Sequence, residues 1–399
     1  MTVLAAIAGL LLLAAVLQDA FEVMLLPRRV QRRFRFMRLY FRAAWSGWSA
    51  IAARFPAGAR REGFLSVFGA LSMVLLFGLW AAVLITGFGL IEWALQPAGH
   101  ASPAWEQIYM SGVTFFTLGY GDVVPKSAAA RLVAVMEAGT GIGFIAVVIG
   151  YLPVLYQLFS RREAHVIQLD GRAGSPPTSG TMLARHAEAD SLDKLDELLR
   201  EWEVWGSELL ESHLSYPMLA YYRSQHDNQS WLAAIACIMD TCALVLVGLE
   251  DLRPLQARMT FTMARQVVVE MARSFGIPPS RYDGGDRLDD AGWAKLMDVF
   301  DRSGLAWTRD PQAREMLAAL RATYEPLLDG LCRYLSLPLP GWTAEDDAAD
   351  HWERGPRGLI ARHLIEQLSS RGSPARAEGT TQAPWQRLLR RLRSDRGAD

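Results

Sequence analysis

Cysteine is scarce in this chain of 399 residues, with Cys237, Cys242 and Cys332 as its full complement. An odd count without paired spacing excludes a disulfide framework and fits a reduced compartment. Lysine is nearly absent and arginine carries the positive charge, a bias that reads as that of a GC-rich bacterial genome. The formal charge of −1 leaves no net basic character for nucleic acid, so none is expected as a partner. No Gly-x-Gly-x-x-Gly stands between a strand and a helix, which excludes a Rossmann nucleotide domain, and no cyclic-nucleotide pocket is recognisable. Alternation at the strand period is rare, so the fold class read here is all-α. No basic residue precedes the first apolar run, from Thr2 to Leu26. A cleaved leader opens on positive charge, so residues 1–27 are expected to form an N-terminal transmembrane helix.

What is present is clustered. Hydrophobic residues make up 51% of the chain, little more than in a soluble protein. Yet Gly63 to Ile91 carries no charge, and Leu132 to Ser160 carries only Glu137. Each is long enough to cross a hydrocarbon core, which takes about 20 helical residues. Between the first two runs lie Arg28, Arg29, Arg32, Arg33, Arg35, Arg38 and Arg42, then Arg54, Arg60 and Arg61. The positive-inside rule makes 28–62 a cytoplasmic segment. Its interleaved Phe36, Tyr40, Phe41, Trp45 and Trp48 read as an interfacial helix on anionic lipid, with a solvated basic loop as the alternative. The second helix then runs outward and the third returns, closed on the inner side by Arg161 and Arg162. This predicts a multi-pass inner-membrane protein with a cytoplasmic C-terminal domain and with Gln96 to Ala130 at the outer face.

The outer segment opens on Ser102-Pro103, an N-cap followed by proline at the first helical position. A short helix is predicted from Pro103 to Phe116, its partially negative C-terminal end directed into the membrane. The chain then reads Thr117-Leu118-Gly119-Tyr120-Gly121-Asp122. Non-helical backbone at this depth is tolerable only where it is buried in protein or lines a pore.

From about Gly63 to Arg162 the chain resembles the potassium-channel family with two-helix pores, of inward-rectifier-like or bacterial type. The resemblance implies that the carbonyls of Thr117, Leu118, Gly119, Tyr120 and Gly121 replace the hydration shell of potassium, with the Thr117 hydroxyl innermost. It implies that Leu118 and Tyr120 pack behind this filter and that Asp122 braces its outer mouth. One loop supplies a quarter of the ligands, so a homotetramer is expected. There are departures: Tyr109-Met110 stands in place of a tryptophan pair, Val113 in place of a buried glutamate, and Phe116 in place of a threonine. By the same alignment Gly141 falls at the gating hinge, and Ile145 and Ile149 face the pore, where a ring of isoleucines closes it by dewetting. Pro153 kinks the helix below them. Close helix packing is the competing role for Gly139, Gly141 and Gly143. Glu137 is an intramembrane charge, and its depth suggests a hydrogen bond to the back of the pore helix.

Residues 163–182 read as a linker, because Gly171 to Thr181 is rich in turn residues. Leu192, Leu195, Leu198, Leu199, Trp202 and Trp205 recur at helical spacing and open a helical domain over 183–368. Residues 369–399 read as a disordered basic tail. The most unusual patch is His213 to Tyr216, continuing through Tyr221 to Asp227. A metal site with Asp240 and a Ser215 nucleophile are both weaker readings than a buried polar network. No catalytic motif stands out, so the chain is read as a non-enzyme with no cofactor beyond permeant potassium and with an unidentified cytosolic ligand. Two alternatives remain: a less selective cation channel, and a membrane-anchored sensor with a vestigial pore.

Overall fold

The computed structural model describes residues 2–24, 36–97, 102–188, 191–226, 228–249, 254–278, 286–308 and 310–344. The proposed tail at 369–399 and the arginines from Arg28 to Arg35 lie outside these residues. Among them the protein is all-α, with no strand. Helices α1 (Thr2–Met24), α3 (Ala59–Ala94) and α5 (Ala128–Ala173) are long and apolar enough to cross a membrane. They form a membrane unit with the short α4 (Ala104–Phe115). Helix α1 packs along α3, and the buried Asp19 carboxylate accepts from Trp80 Nε1 at 3.2 Å.

Helix α2 (Phe36–Ala52) has a buried stripe of Met37, Phe41, Trp45 and Ala52 at helical spacing. The stripe faces protein. Phe41 stacks on Tyr221 with ring centroids 5.6 Å apart, and Trp45 Nε1 donates to the Tyr334 carbonyl at 2.7 Å. For Phe41 and Trp45 this corrects the expectation of a lipid-facing helix, while Phe36 stays exposed. The sequence shows their period but cannot say which surface they meet.

Helix α5 continues to Ala173, so most of the expected linker at 163–182 is not a linker. Arg162, Glu163, Val166, Leu169, Asp170 and Ala173 are buried at three- and four-residue intervals. That stripe keeps the helix going by packing on the bundle beyond it. The turn falls later, at 174–178, before α6 (Ser179–Glu188). The bundle continues with α7 (Leu195–Ser215), α8 (Trp231–Val247), α9 (Pro254–Phe275), α10 (Asp290–Ser303), α11 (Gln312–Arg321) and α12 (Glu325–Leu335). Helix α8 is apolar on every side and buried through nearly its whole length, so it forms the axis around which α5, α6, α7, α9, α11 and α12 pack. Its one charge, Asp240, accepts from Tyr324 Oη at 2.8 Å and from the buried Arg287. The cost of burying a carboxylate is offset by that cation.

His213 is buried on α7. Its Nδ1 lies 2.9 Å from the Leu209 carbonyl and its Nε2 lies 3.3 Å from Arg162 Nη1. Burial, followed by the Arg162 charge, pushes its pKa down to about 3. Below the unfolded value near 6.5 the unfolded chain takes up a proton that the fold refuses. Stability is therefore full above that value and is lost on acidification, at about 1.4 kcal/mol per pH unit down to the folded pKa. The melting temperature of the solubilised protein is expected to fall between pH 6.5 and 5, and to fall less steeply in His213→Gln. Equal slopes would mean that His213 is not held neutral.

Candidate functional site

The site is the loop at 116–122, positioned by α4 and backed by α5. Helix α4 starts one residue later than the sequence suggests. Pro103 is the N-cap, while Ser102 Oγ accepts from Gln96 Nε2 at 2.7 Å and Gln107 Nε2 at 2.8 Å. Ser102 thus ties the helix to the end of α3 through side chains instead of capping its backbone. At the other end Thr117 N donates to the Thr114 carbonyl at 3.0 Å, and Leu118 N to the Val113 carbonyl at 2.8 Å. These bonds turn the chain sharply out of the helix.

Beyond that turn the backbone alternates. Thr117, Gly119 and Gly121 have φ of 57°, 65° and 77°, with Leu118 and Tyr120 between them outside that region. Left-handed residues at every second position turn peptide units that an ordinary strand would point to opposite sides. Glycine takes this conformation without a Cβ penalty. Leu118 and Tyr120 are 54% and 67% exposed in the single chain. The expected packing behind the loop is therefore not supplied by the described residues of this chain. The Asp122 carboxylate accepts from Tyr109 Oη at 2.9 Å, so the tyrosine in place of tryptophan still reaches the loop's outer end.

Behind the loop, α4 is held from both sides. Ser111 Oγ donates to the Ile85 carbonyl of α3 at 2.7 Å and is hydrogen-bonded to Glu137 on α5. Glu137 therefore meets α4 on the side away from the loop's exposed residues. Glu92, in the last turn of α3, is fully buried, and neither of its carboxylate oxygens has a hydrogen-bond partner among the described residues. Sequence reasoning passed over Glu92, although an acidic residue closing an apolar run is itself a signal.

Gly141 sits against the end of α4. A Cβ there would lie 2.0 Å from the Phe115 carbonyl oxygen, whereas Gly139 and Gly143 face open space. The structure thus gives Gly141 a packing contact, the role that stood beside the hinge. Ile145 and Ile149 are 36% and 67% exposed, and Pro153 lies on the same uncovered side. Only 11% of the most apolar stretch of α5 is buried, against 44% for α3. Most of its apolar surface is covered by none of the described residues. His213, His226 and Asp240 form no metal-binding group, and none exists among the described residues. The Ser215 hydroxyl donates to Glu211 at 3.2 Å.

Residues 70–157 match a family model described as an ion channel, a span that takes in most of α3, the whole of α4, the loop and α5 as far as Gln157. The chain is also similar to an uncharacterized membrane protein, YdjJ, of Bacillus subtilis (strain 168). The two are 26% identical over 194 residues, covering 47% of this chain and 56% of that protein. The chain thus spans about half the length of that relative. No solved structure matches. The family match supports an ion channel, and the similarity to YdjJ a membrane protein.

Proposed function

We propose that the chain assembles as a homotetramer into a potassium-selective channel of the cell membrane, with its helical domain in the cytoplasm. The observation that carries this reading is the alternation of left-handed residues at Thr117, Gly119 and Gly121. Such a loop directs successive carbonyls to one line, where rings from four chains replace the hydration shell of potassium. Asp122, held by Tyr109, braces the outer end. The uncovered Leu118, Tyr120 and α5 face are what one quarter of a ring would leave open. Ile145 and Ile149 then line the conduit and close it by dewetting. Gly141, fixed against Phe115, is the point about which the lower helix swings, with Pro153 weakening the helix below. The helical domain modulates this gate in response to a cytosolic ligand, and the arginines at Arg54 and Arg60 meet anionic lipid. The protein catalyses no reaction and needs no cofactor beyond the ion it conducts.

The test is flux into proteoliposomes holding the purified protein, paired with the native mass of the solubilised particle. Uptake driven by a potassium gradient and absent under a sodium gradient is expected, from a particle of four chains. Equal uptake of both ions would leave only the less selective cation channel.

A further inference from the structure

The polar-aromatic segment 216–223 has no part in conduction, yet it lies where the membrane unit and the bundle meet. On one side is Arg162 of α5, a fully packed guanidinium. It donates to the Leu219 carbonyl at 2.9 Å and to the Tyr222 carbonyl at 2.6 Å, pairs with Glu163 at 2.9 Å, and lies over the Phe159 ring at 5.2 Å. With His213 Nε2 as a further acceptor at 3.3 Å, Arg162 is fully engaged. On the other side Tyr221 Oη lies 2.9 Å from Tyr334 Oη on α12. Arg223 donates to the carbonyls of Leu335 at 2.8 Å and Ser336 at 2.9 Å, the last residue and the C-cap of the same helix, and also pairs with Glu62 at the start of α3. The Tyr222 ring is pressed on α3, where a Cβ on Gly69 would come within 2.8 Å of it.

We propose that Arg162 and segment 216–223 form the joint through which the helical domain positions the pore-lining helix, an inference that rests on reading α5 as that helix. A buried guanidinium cannot give up backbone acceptors without leaving charge and carbonyls unpaired. Any displacement of α5 at Arg162 therefore carries the segment with it. The segment is bonded to the end of α12 and wedged on α3, so the displacement reaches the bundle. The linkage is reciprocal: a bundle arrangement that shifts α12 biases the position of α5 by the same free energy. Lysine cannot substitute, since one ammonium does not present the planar fork that reaches both carbonyls and Glu163 together.

The experiment records the full-length channel in bilayers as wild type, Arg162→Lys, Gly69→Ala and the double variant, with Gly78→Ala as the control. Gly78 lies on the same helix, and a Cβ there meets nothing within 4 Å. Arg162→Lys is expected to shift the open–closed ratio by roughly tenfold, the worth of one charge-assisted hydrogen bond, and Gly69→Ala by roughly tenfold through overpacking of the Tyr222 ring. Their combination is expected to depart from the product of the single effects by roughly threefold or more, the mark of residues coupled through shared contacts. Gly78→Ala should gate as wild type. Wild-type ratios in both single variants, or strictly multiplicative effects, would overturn the joint. Should Arg162→Lys fail to assemble, Gly69→Ala against Gly78→Ala decides alone. Amide exchange on the same proteins needs no current: Gly69→Ala is expected to raise exchange over 217–223 and in the last turn of α12. Exchange raised only in α3 would overturn the joint. An absence of any cation current from wild type would strike the channel reading instead, and exchange would still decide the joint.

Discussion

Gly121→Ala is expected to lose most of the preference for potassium over sodium while leaving an assembled protein. Gly121 has φ of 77°, and a Cβ built there meets nothing within 4 Å. The penalty is therefore conformational and not a clash. Alanine in the left-handed region costs about 1–2 kcal/mol, and in a ring of four chains the cost is incurred in each. The cheapest relief is rotation of the peptide unit, which turns the Tyr120 carbonyl off the line of ligands. A permeability ratio lowered by more than roughly tenfold is expected from bi-ionic recordings, since ~1.4 kcal/mol is one decade. Gly119→Ala, at φ 65°, should behave alike. Gly139→Ala is the control, because it is helical and faces open space. Undiminished selectivity in Gly121→Ala would remove the loop from the ion path.

The second large effect concerns Gly141 and separates its two roles. The Phe115 carbonyl lies where a Cβ would be, 2.0 Å from it, and carbonyl and helix are both backbone. Overpacking of that kind costs about 1–3 kcal/mol or more, against the ~1 kcal/mol that alanine contributes to an isolated helix. Gly141→Ala is expected to lower the melting temperature by several degrees and to reduce the conducting fraction. Gly143→Ala, whose Cβ is free of contacts, should melt at or above the wild-type temperature. A stabilised Gly141→Ala protein with altered gating would show that the glycine serves only as a hinge. Thermal melts of the three proteins in one detergent provide the comparison.

What could be read in the sequence follows the range of each interaction. The positive φ at Gly119 and Gly121 is a local property that glycine itself signals, whereas the same conformation at Thr117 follows from the turn that ends α4 and has no mark in the sequence. The depth of Glu137 relative to the loop suggested its contact with α4, although nothing in the sequence named Ser111 as the donor. The Tyr109–Asp122 pair is not legible in the sequence, because a tyrosine where a family pattern has tryptophan does not say which group its hydroxyl reaches. The course of α5 beyond Arg162 was hidden by composition: Arg162, Glu163 and Asp170 are polar, and their burial depends on a bundle whose helices come later in the chain. For the same reason Arg161 and Arg162 looked alike as charges closing a membrane helix. Arg161 is exposed and pairs with Glu208 at 2.6 Å, whereas Arg162 is buried under residues more than fifty positions away. The burial of Phe41 and Trp45 likewise depends on Tyr221 and Tyr334. No pattern in a single helix announces such a partner.

The central claim is that the loop at 117–122 selects potassium through its backbone. Its most direct test is the reversal potential of purified wild-type protein in a planar bilayer with potassium on one side and sodium on the other. Current that reverses far toward the potassium equilibrium potential is expected. Reversal near zero, with both ions carrying current, would contradict it.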